Sequence, residues 1–227
     1  MKTVVITGAN RGIGFEFTRH YATRGYRVHA CCRHPEKASD LAELAVQHAV
    51  QVHSLDVNDA QSVKGFAKAL AETSIDLLIN NAGVYGARVG LGELDYKVWQ
   101  QVFLTNTLGP IRVTEALLSR LAVPGCKLVF ITSKMGSIAD NSSGGSYIYR
   151  SSKAALNAAV KSLAIDLADR QVIATLLHPG WVQTDMGGPN ALISTQESVA
   201  QMTQTIDGLT MTHSGGFFNY DGKEIPW

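Results

Sequence analysis

The sequence predicts an α/β fold built on a doubly wound parallel sheet in a single domain. Short β-branched runs alternate with helical stretches along all 227 residues. A glycine turn follows the first of these runs, and no internal repeat, low-complexity segment or linker interrupts the alternation. Strands that alternate with helices imply right-handed crossovers, which cover both faces of a parallel sheet. One domain therefore accounts for residues 1–227.

Seven strands are predicted from short apolar runs that end at turn residues. The first run, "KTVVIT", is β-branched and leads directly into the glycine turn. The remaining runs continue this pattern toward the end of the chain. The predicted strands cover residues 2–7, 26–32, 50–57, 75–83, 127–132, 172–180 and 215–220.

Six helical stretches connect these strands. Gly25 ends the first of them, and Pro35 opens the second at a position that suits proline. The fourth is long, and a break is predicted near Gly109 and Pro110. The predicted helices cover residues 15–25, 35–47, 60–72, 96–121, 147–168 and 196–209.

Composition and charge argue against several classes of protein. The formal net charge is +1, so nothing favours binding to nucleic acid or to an anionic membrane surface. No apolar run approaches the roughly 20 residues that span a bilayer, and the run after Met1 is too short for a signal-peptide core. The three cysteines have no metal-site spacing. We therefore expect a cytoplasmic protein with reduced thiols and without a metal.

The turn after the first predicted strand has the chemistry of a phosphate-binding loop. The stretch "TGANRGIG" places Gly8, Gly12 and Gly14 before the first helix. Glycine lets the backbone turn sharply and approach a pyrophosphate, and the free N–H groups of a helix N-terminus bind it. The spacing T-G-x-x-x-G-x-G departs from the common G-x-G-x-x-G fingerprint. The alternative is a tight strand-to-helix connection with no ligand.

Polar residues stand at the ends of two further predicted strands. Asp56 ends the third strand, and Asn80, Asn81 and Gly83 end the fourth. In an open parallel sheet, ligands bind beyond the carboxyl ends of the strands. Asp56 is therefore a candidate acceptor for an adenine amino group, and the turn at 80–83 a candidate for contact with the adenosine ribose. The alternative for both is a role in capping helices or shaping turns.

Five motifs occur in order along the chain, namely "TGANRGIG", "NNAG", "ITS", "YRSSK" and "HPGWVQTDM". Together they resemble the short-chain dehydrogenase/reductase family over essentially the whole chain, and the set is specific although each motif alone is not. The amino-acid sequence of these segments looks closest to the C-factor-like and sniffer-type carbonyl reductase branch. This resemblance implies a Rossmann fold with a cofactor half at about 1–105 and a catalytic half at about 106–227. It also implies a nicotinamide cofactor and a small-molecule carbonyl substrate.

The resemblance and the helical geometry together select one of two tyrosines as the acid. Tyr149 and Lys153 are four residues apart and share a helix face, whereas Tyr147 and Lys153 are six apart and do not. A free tyrosine has a pKa of about 10, and proton exchange near neutral pH works best near 7. A lysine charge about 4 Å away supplies roughly 4 kcal/mol, which covers that gap. We therefore predict Tyr149 as the acid, with a pKa lowered by Lys153, and Tyr147 as part of the pocket wall.

Two further residues match catalytic positions of the family. Ser133 ends the fifth strand and would donate to the negative charge that develops on the substrate oxygen. It precedes Tyr149 by 16 residues, a longer interval than is common, and the loop "ADNSSGG" accounts for the excess. Ser137 and the serines of this loop are the alternatives. Asn106 would hold a water at a helix kink and link Lys153 to solvent, unless it only ends a helix.

The predicted cofactor is NADP(H), with NAD(H) less favoured. Relatives that prefer NAD carry an acidic residue after the second strand, where this chain reads "ACCRHP" with Arg33 and no acid. Arg33 and Arg11 would bind a 2′-phosphate through their planar guanidinium groups, unless Arg33 is merely solvated. The motifs supply the other contacts. The residues predicted to bind the cofactor are Gly8, Asn10, Arg11, Gly12, Ile13, Gly14, Arg33, Asp56, Val57, Asn80, Ala82, Gly83, Tyr149, Lys153, Pro179, Gly180, Val182 and Thr184.

The connection between Thr184 and the last helix bears on access to the active site. About a dozen residues separate Thr184 from the last helix, fewer than in typical members, so we expect an open active site.

The family usually pairs its two long helices, here about 95–122 and 147–169, across a two-fold axis. We therefore expect a homodimer, with a tetramer or a monomer as alternatives. The second helix would contribute Ala154, Ala155, Ala158, Ala159, Leu163 and Leu167, although part of that stripe must face the protein's own sheet.

Two other functions stay open at this point. One is a cofactor-binding signalling or sensor protein of the C-factor type with little turnover; the presence of all four candidate catalytic residues favours an enzyme instead. The other is an extended-type epimerase or dehydratase, whose chains are longer and carry a sugar-nucleotide subdomain. His178 is not expected to be catalytic, because the tyrosine already fills the role of the acid.

Overall fold

A seven-stranded sheet forms the centre of the structure, a computed structural model that describes residues 1–70 and 73–227. The strands are β1 Thr3–Thr7, β2 Arg27–Cys32, β3 Val50–Ser54, β4 Leu77–Asn80, β5 Lys127–Ile131, β6 Ile173–His178 and β7 Phe217–Asn219. They lie in the order β3-β2-β1-β4-β5-β6-β7, and each neighbouring pair is parallel. The prediction of a doubly wound parallel sheet in a single domain is confirmed.

Seven α-helices are present in the described part of the chain. They are α1 Gly12–Thr23, α2 Ser39–Gln47, α3 Ala60–Ala69, α4 Tyr96–Phe103, α5 Gly109–Leu117, α6 Tyr147–Asp166 and α7 Thr195–Gly208. The third predicted helix extends to residue 72, but α3 ends at Ala69. Residues 71 and 72 lie outside the described residues.

Two predicted helices are divided in the structure. Residues 35–37 form a 3₁₀ turn, and the non-helical backbone of Ala38 (φ −102°, ψ 65°) separates this turn from α2. A π-helical turn, Leu104–Leu108, separates α4 from α5 directly before Gly109 and Pro110. Pro110 has no N–H and cannot donate to the carbonyl oxygen four residues earlier, which explains the break. The interruption predicted near this pair is therefore confirmed.

The helices cover both faces of the sheet. Helices α1, α2 and α7 pack on one face, where Phe17 and Met202 are fully buried. Helices α3, α5 and α6 pack on the other, where Leu117 and Val160 are fully buried. Because both faces are covered at the centre of the sheet, β1 is buried at all five positions and reads as a continuous apolar run, whereas the edge strand β3 is partly exposed.

The strand order creates one crevice at the edge of the sheet. Strand β1 lies between β2 and β4, so the chain leaves β1 toward one side of the sheet and later returns to the other. At such a switch point the loops after neighbouring strands diverge, and a ligand can bind between them. Since all seven strands are parallel, the glycine turn, the turn at 80–83, Ser133 and the segment after His178 lie along this same edge.

A buried histidine of β2, His29, contacts a half-buried histidine of β3, His53. Nδ1 of His29 and Nε2 of His53 are 2.9 Å apart, so one imidazole donates to the other. The Phe66 ring packs edge-on against His53. Burial, followed by the nearby charges of His53 and Arg27, lowers the pKa of His29 to about 4. Burial also lowers the pKa of His53, so both imidazoles are neutral at pH 7.

The free energy of unfolding should fall as the pH is lowered from about 6.5 to about 4. Unfolded His29 binds a proton below its ordinary pKa of about 6.5, whereas folded His29 binds one only near pH 4, its pKa there being about 4. The folded state therefore loses on the order of 3 kcal/mol over this interval. Urea unfolding of His29→Gln should show a smaller loss than wild type. The exposed His34 supplies the control His34→Gln; equal pH slopes for wild type and His29→Gln would contradict the prediction.

Three expectations from composition can be compared with the structure. Within residues 1–70 and 73–227, no helix is both long and apolar enough to cross a membrane. The same residues hold no group of three or more His, Cys, Asp or Glu side chains that could bind a metal ion. Cys31, Cys32 and Cys126 are buried free thiols, and burial raises the pKa of Cys126 to about 12.

Candidate active site

The glycine turn between β1 and α1 forms a backbone loop that fits an anion. Gly8 has a left-handed backbone (φ +65°), and a Cβ there would lie 2.9 Å from the Cα of Ala82. A Cβ on Gly14 would collide with the carbonyl oxygen of Gly8. Asn10 is exposed on this turn, and Ile13 packs partly against the core. Among the described residues, no side chain caps the N-terminus of α1, so its free N–H groups fit a phosphate.

Hydrogen bonds join the turn after β4 to the glycine turn. Thr7 Oγ1 accepts from the backbone N–H groups of Asn81 and the residue after it, each at 3.0 Å. The Asn81 side chain donates to the carbonyl oxygens of Thr7 (3.0 Å) and the following glycine (3.1 Å). The Asn80 side chain instead donates to Thr114 of α5 at 3.2 Å. Asn81 therefore fixes the geometry of the crevice. Because the Asn80 side chain is turned toward α5, the cofactor contact predicted for Asn80 stays a prediction for its main chain alone.

Asp56 and Val57 follow β3 on the far side of the crevice. Asp56 Oδ1 accepts from the backbone N–H of Asn58 at 2.9 Å, which turns the chain toward α3. Arg112 of α5 donates to the carbonyl oxygen of Val57 at 2.6 Å. The turn-shaping alternative for Asp56 is thus observed. Its carboxylate is half-buried and still has a second oxygen, so a role as acceptor for a ligand stays available.

The two arginines predicted to bind a 2′-phosphate follow neighbouring strands, Arg11 in the turn after β1 and Arg33 directly after β2. Arg33 follows β2, is exposed, and forms no salt bridge with any residue the structure describes. The nearby Glu36 pairs with His34 at 3.3 Å rather than with Arg33. The Arg11 guanidinium pairs with Asp185, beyond β6, at 2.8 Å. Both partners of this pair are largely exposed, at 71% and 80%, so the contact is weak and leaves Arg11 able to turn. Binding of a 2′-phosphate by Arg11 and Arg33 stays a prediction.

Tyr149, Lys153 and Ser133 converge at the carboxyl end of β5. Tyr149 and Lys153 lie one turn apart in α6 and are 8% and 4% exposed. Lys153 Nζ donates to the carbonyl oxygen of Ile131 at 2.9 Å and lies 5.8 Å from the centre of the Tyr149 ring. Ser133 Oγ accepts from the N–H of Met135 at 3.1 Å, so its own proton is free to donate.

The long interval between Ser133 and Tyr149 forms an exposed loop. Gly144, Gly145 and Ser146 all have positive φ angles, and they turn the chain into α6. The loop therefore extends outward without separating Ser133 from α6. Ser137, the alternative donor, accepts from the N–H of Asp140 at 3.0 Å in the same way, so this contact does not decide between the two serines.

The electrostatics of the tyrosine and lysine differ from the prediction. Burial raises the pKa of Tyr149 to about 12, and the neighbouring Ser133 hydroxyl opposes this effect. Burial lowers the pKa of Lys153 to about 8. The prediction that Lys153 lowers the pKa of Tyr149 is wrong for the protein alone, because loss of hydration dominates the pKa of each group. At neutral pH the phenol keeps its proton and the lysine is mostly charged.

Asn106 lies in the π-helical turn and is fully buried. Its Oδ1 accepts from the N–H of Val84 at 2.8 Å, and its Nδ2 donates to the carbonyl oxygen of Val84 at 2.8 Å. The second Nδ2 hydrogen goes to Ser152 Oγ at 3.0 Å. The predicted kink is present. Both hydrogens of the Asn106 side-chain amide are donated to protein groups, so neither is available to bind the predicted water. A Cβ at Gly83 would lie 3.3 Å from Asn106 Oδ1 and 3.6 Å from Lys153 Nζ, so glycine keeps that space open.

The segment after β6 forms the third side of the crevice. Gly180 has a φ of +87°, and a Cβ there would lie 2.7 Å from Ile193. Val182 is buried and forms an isolated bridge with Ile193. A Cβ at Gly12 would lie 3.3 Å from the methyl group of Thr184. Thr184 therefore borders the glycine turn, as expected for a residue near a bound cofactor.

This segment is anchored on one side and open on the other. Ser198 of α7 donates to the carbonyl oxygen of Pro179 at 2.6 Å. Beyond it, a shallow depression of about 390 Å³ faces solvent, as expected for a short connection to α7. The depression is lined by Gln183, Thr184, Asp185, Gly188 and Pro189.

Residues 84–92, which we call the strap, lie beside Tyr149. The Tyr85 ring stacks on the Tyr149 ring with centroids 4.5 Å apart and planes inclined by 18°. The Arg88 guanidinium lies 4.8 Å from the centre of the Tyr85 ring and donates to the carbonyl oxygen of Met186 at 3.0 Å. The strap therefore joins the β4 side of the crevice to the β6 side. The motifs did not indicate it; the available signal was an aromatic residue directly after "NNAGV".

Known proteins resemble this chain in sequence and in structure. A family model described as short chain dehydrogenase matches residues 2–192. C-signal of Myxococcus xanthus is 49% identical over 166 residues, which cover 73% of this chain and 100% of that protein. The carbonyl reductase Sniffer of D. melanogaster superposes with a TM-score of 0.94 and 32% identity over 100% of both chains. The NADPH-bound carbonyl reductase from chicken fatty liver superposes with a TM-score of 0.95 and 33% identity. The match covers 100% of this chain and 99% of that one.

The parallel sheet, the glycine turn and the residues around Tyr149 define an oxidoreductase of the nucleotide-binding α/β class. The chain belongs to the short chain dehydrogenase family. The resemblance predicted from the motifs, including the C-factor-like and sniffer-type carbonyl reductase branch, is confirmed.

Proposed function

We propose that the protein reduces a ketone or aldehyde to an alcohol with NADPH. The observation that carries this proposal is the convergence of Tyr149, Lys153 and Ser133 at the edge of the sheet that also holds the glycine turn. Two hydroxyl groups there can donate to a carbonyl oxygen, and a buried ammonium group lies beside one of them. The likeness to two carbonyl reductases supports this reaction class.

The crevice fits a dinucleotide that carries a 2′-phosphate. The free N–H groups of α1 and the glycine turn suit a pyrophosphate. The exposed Arg33 guanidinium at the end of β2 suits the 2′-phosphate, because its planar fork matches phosphate oxygens. The NADPH-bound structure of a relative 33% identical supports the same cofactor. When bound, the reduced nicotinamide supplies the hydride.

The residues of the chain supply and control the proton. Tyr149 holds the proton that the substrate oxygen takes up, and its pKa of about 12 keeps the phenol protonated at neutral pH. Ser133 donates to the same oxygen as negative charge develops there. The charge of Lys153 stabilises the phenolate left after proton transfer. Asn106 holds Val84 and Ser152 together and so positions α6 against the turn after β4.

A panel of carbonyl compounds tests the proposal. The protein is incubated with NADPH and with benzaldehyde, acetophenone or diacetyl, which represent an aromatic aldehyde, an aromatic ketone and an aliphatic diketone. We expect loss of reduced-nicotinamide absorbance and formation of an equal amount of alcohol with at least one of them. If NADPH binds but is oxidised no faster than with the Tyr149→Phe variant, the proposal is wrong.

The rate of reduction should fall as the pH rises above about 8. Burial lowers the pKa of Lys153 to about 8, so its charge is present below this pH and lost above it. Tyr149, with a pKa of about 12, keeps its proton throughout this range. A plot of kcat/KM against pH should be level near pH 7 and then decline by about tenfold per pH unit above 8. A level profile up to about pH 10 would contradict this assignment.

A cofactor-binding signalling protein is the second candidate. The observation that favours it is the 49% identity to C-signal of Myxococcus xanthus over 73% of this chain. The complete set of Tyr149, Lys153, Ser133 and Asn106 favours an enzyme, since a protein that only binds the cofactor has no need of a buried acid. NADPH binding without turnover in the carbonyl panel would favour the signalling function.

We also propose a homodimer in which α6 lies at the interface. Ala158 is exposed, Ala159 is half-buried, and Ile165, seven residues after Ala158, is 66% exposed. Small residues permit close approach of two helices, and Ile165 adds apolar area. Leu163 and Leu167 do not add to this face, because both pack against the protein's own core. A tetramer and a monomer remain the alternatives.

Ala158→Arg should split this dimer into monomers, because two arginines would be forced together at the centre of the interface. Light scattering at micromolar concentration should show twice the chain mass for wild type and the single chain mass for Ala158→Arg. Ala42→Arg places the same charge on an exposed position of α2, on the other face of the sheet, and should stay dimeric. A wild-type protein of single chain mass would contradict the proposal.

A further inference from the structure

The strap over Tyr149 is not used by the reaction described above, and it carries a further inference that rests on the proposed function. We propose that Tyr85 is a positioning residue for proton transfer: its ring fixes the plane of the Tyr149 ring and keeps water from its face. Arg88 and Ser146 in turn hold Tyr85. The role of Tyr85 is to aim the Tyr149 hydroxyl at the substrate oxygen.

The stack between the two rings constrains the acid directly. Their centroids are 4.5 Å apart and their planes are inclined by 18°, an offset parallel arrangement that aromatic pairs favour. The torsion about the ring axis has a broad energy profile, and the stacked Tyr85 ring keeps the Tyr149 ring in one plane. The hydroxyl lies on that axis, so it moves only when the whole ring swings about the first side-chain torsion. Tyr85 occupies the space on one face into which the Tyr149 ring would swing, and it thereby keeps the hydroxyl near Ser133.

Tyr85 has its own supports on two sides. Its hydroxyl is 3.0 Å from Ser146 Oγ, three residues before Tyr149. Ser146 adopts a left-handed backbone (φ 48°), a conformation that a non-glycine residue keeps only where its surroundings support it. The Arg88 guanidinium lies 4.8 Å from the centre of the Tyr85 ring and is anchored to the carbonyl oxygen of Met186.

The backbone of the strap is held equally closely. Gly86 has a φ of +80°, and a Cβ there would lie 2.8 Å from Val102 of α4 and 3.3 Å from Ile148 of α6. The strap thus lies directly against the two helices that flank the site. Because the backbone beside Tyr85 is fixed in this way, its ring is a rigid surface for Tyr149.

The charged and titratable groups around Tyr149 come from two elements. Lys153 belongs to α6, while Tyr85 and, beyond it, Arg88 belong to the strap. Tyr149 is only 8% exposed with the strap in this position. Removal of the Tyr85 ring admits water to Tyr149, which lowers its pKa, and lets the Tyr149 ring swing into the space left empty. The lower pKa is the change that titration detects. The displaced hydroxyl is the change that lowers the rate of proton transfer, with little effect on substrate binding.

The test compares Tyr85→Leu, which removes the stack, with Tyr85→Phe, which keeps the ring and loses the contact to Ser146. The substrate is the panel compound that wild type reduces fastest. We expect Tyr85→Leu to lower kcat by about tenfold or more with KM changed by less than about threefold. Tyr85→Phe should recover most of that loss. Tyr96→Leu, which removes another stacked tyrosine at an exposed surface, is the matched control.

A second readout does not depend on turnover. Carbon NMR of protein labelled at tyrosine Cζ follows each phenol, and the Tyr149→Phe variant assigns the Tyr149 signal. In Tyr85→Leu this signal should titrate at a lower pH than in wild type, whose Tyr149 has a pKa of about 12. If no carbonyl compound is reduced, the proposed function fails while the NMR titration still decides the role of Tyr85.

Two results would overturn the inference: a wild-type kcat in Tyr85→Leu, or an unchanged Tyr149 titration in that variant. Equal damage from Tyr85→Phe and Tyr85→Leu would overturn it as well, because the ring would then not be the active feature. If Tyr85→Leu does not fold, Arg88→Ala replaces it, since this removes an exposed side chain that supports Tyr85. For Arg88→Ala, a loss in kcat that is smaller than the tenfold expected for Tyr85→Leu supports the inference. An unchanged kcat in Arg88→Ala overturns it.

Discussion

Tyr149→Phe should abolish carbonyl reduction while NADPH still binds. The substitution removes one hydroxyl and keeps the ring that stacks on Tyr85, so the fold and the crevice should be preserved. Loss of a positioned acid costs about 10² to 10⁴ in rate. Steady-state kinetics with the most active panel compound measures this loss, and NADPH fluorescence measures binding.

The matched control for this prediction is Tyr147→Phe, two residues earlier in the same helix. Tyr147 is 38% exposed and Tyr149 is 8% exposed. The two variants therefore remove the same hydroxyl group, once from a solvent-exposed phenol and once from a buried one. The control should keep most of the wild-type rate. If Tyr149→Phe retains most of the activity, or if Tyr147→Phe loses it, Tyr149 is not the acid.

Arg33→Asp should weaken NADPH binding by about ten- to a hundredfold. The change removes a guanidinium at the end of β2 and places a carboxylate there, which repels a 2′-phosphate. Loss of a charge-assisted hydrogen bond of this kind costs roughly 1.5–3 kcal/mol. Calorimetric titration of wild type and variant with NADPH and with NADH measures the effect, and NADH affinity should not fall.

Arg27→Asp is the control for this second prediction. Arg27 is an exposed residue at the amino end of the same strand, so the net charge changes equally at the opposite edge of the sheet. NADPH affinity should be close to that of wild type. Unchanged NADPH affinity in Arg33→Asp, or tighter binding of NADH than of NADPH by wild type, would refute the assignment of cofactor.

The order and type of the elements could be read from local patterns, because burial of both faces makes strands continuous apolar runs. "KTVVIT" and "KLVFIT" became β1 and β5 with boundaries within two residues. The division near Gly109 and Pro110 was also predictable, since the missing N–H of proline is a property of the residue itself. The split at Ala38 was not, because neither residue type nor periodicity marks it.

The convergence of the candidate site could likewise be expected from topology. When all strands are parallel, residues that end different strands share one edge, and Ser133 meets α6 there in spite of the long loop between them. The helical period placed Tyr149 and Lys153 on one face. Their pKa values could not be predicted, because they depend on how completely the folded chain excludes water. That exclusion is the largest influence on the pKa of each group.

The sequence by itself determined the fold class, the family, the edge of the sheet that holds the site and the tyrosine most suited to be the acid. These follow from spacing and residue type, which are local properties. Tertiary structure alone decided that Tyr85 covers Tyr149 and that the Asn106 side chain bonds the backbone of Val84 and the hydroxyl of Ser152. Each of these contacts joins groups brought together from separate elements. Their partners are set by packing and desolvation across the domain, which no short pattern of residues records.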